Sequence, residues 1–241
     1  MATAITRIYT AEGYVIASDS RATWSSVAER KIFSVRIHGR DFACSFGGTV
    51  RFGLPVLFDF TREAPLHLEA VSSEYCPWKA FLTLAGQSLA HDFNQMRIRS
   101  QHPPMKDVRD TYVFLDGYNR VGDACSGLLC FEHGENETTQ SSKHEWVGPP
   151  VSIKRYGSNV LRNLLNIDDP QVAPYASPQQ KDVRSIHAAT IRANNEILCQ
   201  CDKEMLALDP DRSSLTIGPP VRMATVTRER GFEWVKGFEP T

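Results

Sequence analysis

Nowhere in these 241 residues do about 18 apolar side chains run together, so no segment qualifies as a membrane-spanning helix and no membrane partner is expected. The opening stretch MATAITRIYT has no apolar centre of the kind a signal peptide needs, which points to a cytoplasmic chain. Charge of one sign is not in excess. The 27 basic residues face 28 acidic ones, which removes any general attraction to nucleic acid or to an anionic surface. Cysteine is sparse, at six positions, far from the density of a disulfide-stapled secreted domain; the thiols are read as reduced. No Gly-x-Ser-x-Gly marks a nucleophile elbow and no His-Glu-x-x-His marks a zinc protease. Cys199 and Cys201, with Cys125 and Cys130, lack the paired two-residue spacing of a zinc site. Neither a metal nor an organic cofactor follows from the residues. Low-complexity tracts and linkers are missing as well, so one domain spanning residues 1–241 is expected.

What is present is strand-like first. Residues 4–9 and 13–18 are short, β-branched or aromatic, and Ala11, Glu12 and Gly13 between them suit a tight turn. A second hairpin is expected from Lys31 to Ile37 and Phe42 to Phe46, joined by His38, Gly39, Arg40 and Asp41, with Gly39 suited to a positive φ. After Gly47 and Gly48 the period changes. Val50, Leu54, Leu57 and Phe58 fall near helical spacing, with Pro55 bending or delaying that helix. From Pro77 onward Phe81, Leu82, Leu84, Ala85, Leu89, Phe93 and Met96 form one apolar stripe of a longer helix.

TYVFLDGYNR, GLLCFEHGEN and HEWVGPPVSIKRYG then return to strand-like content, followed by a short helix at 159–166, a longer one at 179–201, and a final strand, turn and strand. The Pro-rich stretch DDPQVAPYASPQQ reads as the mobile loop. Strands segregated from two helix pairs imply an α+β chain. The helix pairs suit the outer faces of two stacked antiparallel sheets, a four-layer αββα sandwich.

One strand ends oddly. GYVIAS runs into Asp19, Ser20 and Arg21, and a surface ion pair at a turn is the plain reading. The neighbours offer another. Lys31 opens the next apolar strand, and Thr3 stands near the chain start. A threonine hydroxyl is almost wholly protonated near neutral pH and needs a base as it attacks. If Thr3 were the first residue, its own α-amine, with a reference pKa of about 7.7 to 8.0, could take that proton. Lys31 held by Asp19 would keep positive charge beside the hydroxyl. Backbone N–H groups at Gly47 and Gly48, where a strand is read as turning into a helix N-terminus, would face an oxyanion.

In this order the residues resemble a known family. Thr3, the run from Gly13 to Thr23 through Asp19 and Arg21, Lys31-Ile-Phe-Ser-Val, and Phe46-Gly47-Gly48-Thr49 are similar to the opening of proteasome β-subunits and their bacterial relatives, the N-terminal-nucleophile hydrolases. KRYGSNVLRNLL, from Lys154 to Leu165, resembles a later turn and helix of that fold, in particular that of the bacterial relative Anbu. The resemblance implies Thr3 as nucleophile, Asp19 and Lys31 as its charged supports, and the Gly47 N–H as oxyanion donor. It implies Arg21 as a buried structural partner near Asp19, Ser158 hydrogen-bonded near the Thr3 amine, and Ala22, Ser45 and Thr49 bordering a pocket for the substrate side chain. It also implies a homo-oligomeric ring or open spiral acting on peptide or unfolded protein; the residues name no unfoldase partner.

The sequence departs from that pattern in three places. Met1 and Ala2 precede Thr3, so either a two-residue propeptide is removed by self-cleavage or the site is silent. The segment from Asp19 to Lys31 is short, and the family's last carboxylate and serine are left unassigned among Asp209, Asp211, Ser213 and Ser214. A silent ring or scaffold subunit and a small-molecule amidase therefore stand as alternative functions. Other polar groups read blandly. His91 with Asp92 is expected on a solvated helix face, His187 in a packing or interface role, and Arg97, Arg99, His102 and Lys106 as cations complementing a helix end.

Overall fold

The computed structural model describes residues 4–20, 29–53, 55–72, 76–100, 108–145, 147, 152–156, 183–201 and 218–240. It divides into two compact units, residues 1–32 with 147–241, and residues 33–146. The expected helix at 159–166 and the loop at 168–180 lie outside the described residues.

In the first unit, β1 (Ile5–Thr10) and β2 (Gly13–Ser18) form the expected hairpin, with Ile5 opposite Ser18 and Thr10 opposite Gly13. The sheet is antiparallel in the order β10-β1-β2-β11-β12, where β10 is Ser152–Tyr156, β11 is Arg222–Thr227 and β12 is Gly231–Trp234. Helix α3 (Ile186–Cys201) crosses β1 and β2. It starts at Ile186, not at 179 as its sequence period suggests; Val183–Ser185 precede it without helical structure. Glu12, at the hairpin tip, accepts a bond from the Ile186 N–H, which places a carboxylate where the helix exposes unpaired donors. Ala189, Ala193 and Ile197 press on Ala4, Ile8, Val15, Ala17 and Met223 to make the core. Each fully buried side chain of Ile or Val size contributes about 1.5–3 kcal/mol.

One ionic cluster is buried with that core. Glu196 accepts from Arg155 Nε at 2.8 Å, Arg192 Nε at 2.9 Å and the Thr6 hydroxyl at 3.1 Å. Burial pushes its carboxyl up, but Arg155 and then Arg192 pull it below the ordinary value.

In the second unit the antiparallel order is β3-β4-β7-β8-β9, with β3 at Ile32–Ile37, β4 at Arg40–Gly48, β7 at Thr111–Tyr118, β8 at Ala124–His133 and β9 at Thr138–Glu145. The β3–β4 turn is tighter than expected. His38 and Gly39 alone form it, with φ of 48° and 79°, the paired positive values of a two-residue hairpin loop. β9 corrects a larger misreading. Strand-like content was expected in HEWVGPPVSIKRYG, whereas β9 starts earlier, at Thr138, and β10 belongs to the other unit's sheet. Polar, alternately exposed TTQSSKHE is an edge strand with one wet face.

The helix expected from Val50 is also delayed. Arg51–Phe52 (β5) and Phe58–Asp59 (β6) pair instead, around Gly53 at φ 90°. Helix α1 (Phe60–Val71) begins after Asp59, whose carboxylate accepts the Thr61 N–H at 2.9 Å. Helix α2 (Trp78–Arg99) buries Phe81, Leu82, Ala85, Leu89 and Phe93 as expected, but Leu84 is exposed. Arg97 is buried and donates to the carbonyls of Gly134 and Glu135 in the β8–β9 turn, so it shares no basic surface with exposed Arg99. His102 and Lys106 lie outside the described residues.

A polar thread runs through the aromatic core of this unit. Phe52, Phe60 and Phe93 surround the ring of His133, with centroids 4.8, 6.1 and 5.3 Å away. His133 Nε2 is 2.7 Å from Thr111 Oγ1 and Nδ1 is 2.9 Å from Thr138 Oγ1. Burial, and secondarily Arg97, push the imidazole pKa from 6.5 down to about 4. The fold thus favours the neutral ring. Its contribution to stability is fully present above pH about 6.5 and is lost as pH falls towards 4, amounting to about 3 kcal/mol in all. Denaturant midpoints measured from pH 7.5 to 4.5 are expected to fall over that window, and His133→Gln to flatten the dependence.

Candidate functional site

Where β2 ends, Asp19 leaves the ladder with a buried carboxylate. Its backbone continues the hairpin by one step, donating from N–H to the Ala4 carbonyl at 3.2 Å, while the Ala4 N–H donates back to Oδ1 at 2.9 Å. Lys31, at the entrance to β3, brings Nζ to 2.9 Å of the same oxygen, and both side chains are almost fully buried. The Gly218 N–H donates to Oδ2 at 3.3 Å. Burial pushes the Asp19 carboxyl above its ordinary value, against the pull of Lys31 and then of the Ala4 and Gly218 N–H groups. An ammonium is thereby fixed beside the peptide N–H that joins Ala4 to Thr3.

Ser20 locks the same corner. Its N–H donates to the Gly218 carbonyl at 3.2 Å, its hydroxyl to Pro220 O at 2.6 Å, and its carbonyl accepts from Glu29 N at 2.7 Å. This 218–220 segment went unread in the sequence. Gly-Pro-Pro just before a strand was the available signal, marking a fixed turn that can offer backbone groups to a neighbour.

The Gly47–Gly48–Thr49 turn lies in the second unit. β3 has six residues and β4 nine, so with the turn at His38–Gly39 the last residues of β4 run past the start of β3 on that edge. Gly47 lies opposite Tyr112 and Gly48 opposite Thr111. Gly48 holds φ 80°, and a Cβ there would stand 1.7 Å from the Asp110 carbonyl oxygen, so no side chain fits. The turn is tied on both flanks. The Thr49 N–H donates to Asp110 O at 3.3 Å, the Thr111 hydroxyl donates to Thr49 O, and the Phe60 N–H donates to Val50 O at 2.8 Å. Ser45 is buried, and its hydroxyl has no hydrogen-bond partner among the described residues.

Of the expected site residues, Asp19 and Lys31 come together in the first unit, and Ser45, Gly47 and Thr49 lie along the end of β4 in the second. Thr3, Arg21, Ala22 and Ser158 lie outside the described residues, as do Asp209, Asp211, Ser213 and Ser214.

Rival nucleophiles are poor. Burial raises the Cys44 thiol well above its ordinary value and holds Cys125 and Cys130 at about 11, so all three stay protonated near neutral pH. Ser88, His67 and Asp92 touch in sequence, with Ser88 Oγ 2.9 Å from His67 Nδ1 and Asp92 Oδ2 3.3 Å from Nε2. Ser88 sits in the middle of α2, where helix hydrogen bonds occupy the backbone N–H groups an oxyanion would need. His91 and His187 are exposed. Among the described residues no cluster of three or more His, Cys, Asp or Glu could hold a metal ion, and no helix is long and apolar enough to cross a membrane.

No family model matches the chain, and no curated protein does. Among solved structures it is similar to an Anbu (Gly-1) mutant from Hyphomicrobium sp. strain MC1, at 13% identity and a TM-score of 0.51, covering 98% of this chain and 85% of that one. It is also similar to Anbu (ancestral beta-subunit) from Yersinia bercovieri, at 11% identity and a TM-score of 0.47, covering 98% and 88%. The first likeness shows the fold: the chain shares the proteasome-like α+β architecture that its opening residues resemble.

Proposed function

We propose that the chain is an N-terminal threonine hydrolase that cleaves peptide bonds in peptides or unfolded proteins. The observation that carries this reading is the buried Lys31–Asp19 pair, 2.9 Å across, hydrogen-bonded to the amide that follows Thr3. In this mechanism the Thr3 hydroxyl attacks the scissile carbonyl and passes its proton to the α-amine of the same residue. Lys31 lowers the energy of the developing alkoxide, and the Gly47 N–H receives the tetrahedral oxyanion. The amine product leaves with a proton, and water then attacks the acyl-threonine ester to release the acid and restore the hydroxyl. Ser158 steadies the amine, Arg21 supports Asp19, and Ala22, Ser45 and Thr49 border the pocket for the substrate side chain.

The same hydroxyl frees its own amine. Attack on the Ala2 carbonyl shifts the acyl group from nitrogen to oxygen, and hydrolysis of that ester removes Met1 and Ala2. The subunits assemble with copies of themselves into a ring or spiral in the cytoplasm, which limits access to the site. A second reading has its own support: with an ammonium and two backbone donors on one buried carboxylate, the Asp19 cluster is also a sound structural device for a silent assembly subunit.

Intact mass and N-terminal sequencing of the purified chain, alongside hydrolysis of a labelled unstructured protein, separate the two. A mature chain beginning at Thr3 and releasing label is expected; one beginning at Ala2 without release establishes the silent subunit. Rapid turnover of small amides with no protein cleavage would instead mark an amidase.

A further inference from the structure

The hydrogen-bond thread behind Thr49 has one consistent proton order. Thr111 Oγ1 gives its proton to the Thr49 carbonyl, which can only accept. The 2.7 Å contact between Thr111 Oγ1 and His133 Nε2 must then take its proton from the ring. A neutral imidazole with hydrogen on Nε2 has a bare Nδ1, which accepts from the Thr138 hydroxyl at 2.9 Å. Thr138 is itself fixed, since Asn94 Nδ2 donates to its carbonyl and Asn94 Oδ1 accepts from its N–H, both at 3.0 Å. The thread links α2, β9, β8 and β7 to the turn that closes β4, inside one unit.

We infer that His133, as the neutral Nε2–H tautomer, is a positioning residue for the Gly47–Gly48–Thr49 turn, acting through Thr111 to fix the peptide direction at the oxyanion donor. The inference rests on the threonine-hydrolase reading and names residues outside its reacting groups. The turn needs such a hold. Gly48 has no side chain to restrain it, and its positive φ is accessible to glycine without preference, so the strand pairing with β7 and the bonds on Thr49, its N–H to Asp110 O and its carbonyl from the Thr111 hydroxyl, supply the restraint that its own dihedral energy does not. A donor aimed too loosely loses much of its advantage for the transition state while substrate binding is little changed.

The test uses the full chain with a fluorogenic peptide and solution imidazole NMR. Thr111→Val keeps shape and removes the relay proton; kcat is expected to fall by about tenfold or more with KM within about twofold. Thr111→Ser, which restores the hydroxyl, is expected to recover most of the rate. Leu68→Ala, a core truncation in α1 away from the thread, is expected to lower Tm and leave kcat unchanged, which separates positioning from loss of stability. Long-range proton–nitrogen correlations of His133 at neutral pH are expected to show hydrogen on Nε2. Thr111→Val turning over at the native rate beside an inactive Thr3→Ala chain, or a proton on Nδ1, overturns this inference alone. Turnover that survives Thr3→Ala, or a native chain without turnover, overturns the hydrolase reading and this inference with it.

Discussion

Thr3→Ala is expected to abolish peptide release, by a factor on the order of 10⁴ or more, while subunit assembly stays as in the native chain. The asymmetry follows from where the change acts. It removes the hydroxyl proposed as nucleophile, whereas the cores of both units rest on β1, β2, α3 and on the aromatic cluster under α1 and α2, none of which includes residue 3. Rates on a labelled unfolded protein and light scattering of the same samples check the two halves. Thr3→Ser is expected to keep measurable activity, because the hydroxyl and the amine are both retained. Full turnover in the alanine variant would place the nucleophile elsewhere.

Asp19→Ala is expected to do damage of another kind. It leaves the Lys31 ammonium buried without this carboxylate and strips an acceptor from the Ala4 and Gly218 N–H groups. Breaking one side of a buried pair costs about 3–5 kcal/mol, which in a chain of this size lowers Tm by on the order of 10 °C. Lys31→Ala is expected to lower the rate by several powers of ten, because in the proposed mechanism positive charge beside the nucleophile is lost. It should also destabilise, since the carboxylate is then the charge left buried. Combining the two substitutions should recover part of the stability and none of the activity. The double-mutant cycle from thermal melts reads the coupling directly, and additive losses would show that the two groups act independently.

Local pattern carried much of the architecture. Both early hairpins, the α2 stripe and the paired strands at the C-terminal end follow from period and turn chemistry, because in each the residues that favour the element also face its core. Where those two demands separate, the reading failed. TTQSSKHE forms a strand with little apolar content, since an edge needs only one buried face. Val50 and Phe58 mimic a helical period yet belong to an irregular turn and a two-residue ladder, because Gly53 and Pro55 bend the chain between them. Leu84 lies on the stripe by spacing and outside it in space.

For the candidate site, the sequence placed Lys31 with Asp19, and the two stand 2.9 Å apart. The Gly218 donor is 199 residues from Asp19, and the His133 thread is a pattern of side-chain protons with no period to read. Such partners are set by strand order, which pairs β2 with β11 and β7 with β8.

That strand order also sets a schedule for synthesis. Residues 33–146 form one unbroken stretch of chain, so this unit can complete its sheet soon after β9 leaves the ribosome. The other unit is split around it: β1 and β2 emerge first and wait for β10 and β11 to pair their outer edges. Until residue 218 is made, Asp19 lacks one of its donors, and the β2 edge of the hairpin stays open until β11 follows, an interval in which a nascent chain is prone to stray pairing. The charged corner is therefore among the last parts of this unit to close.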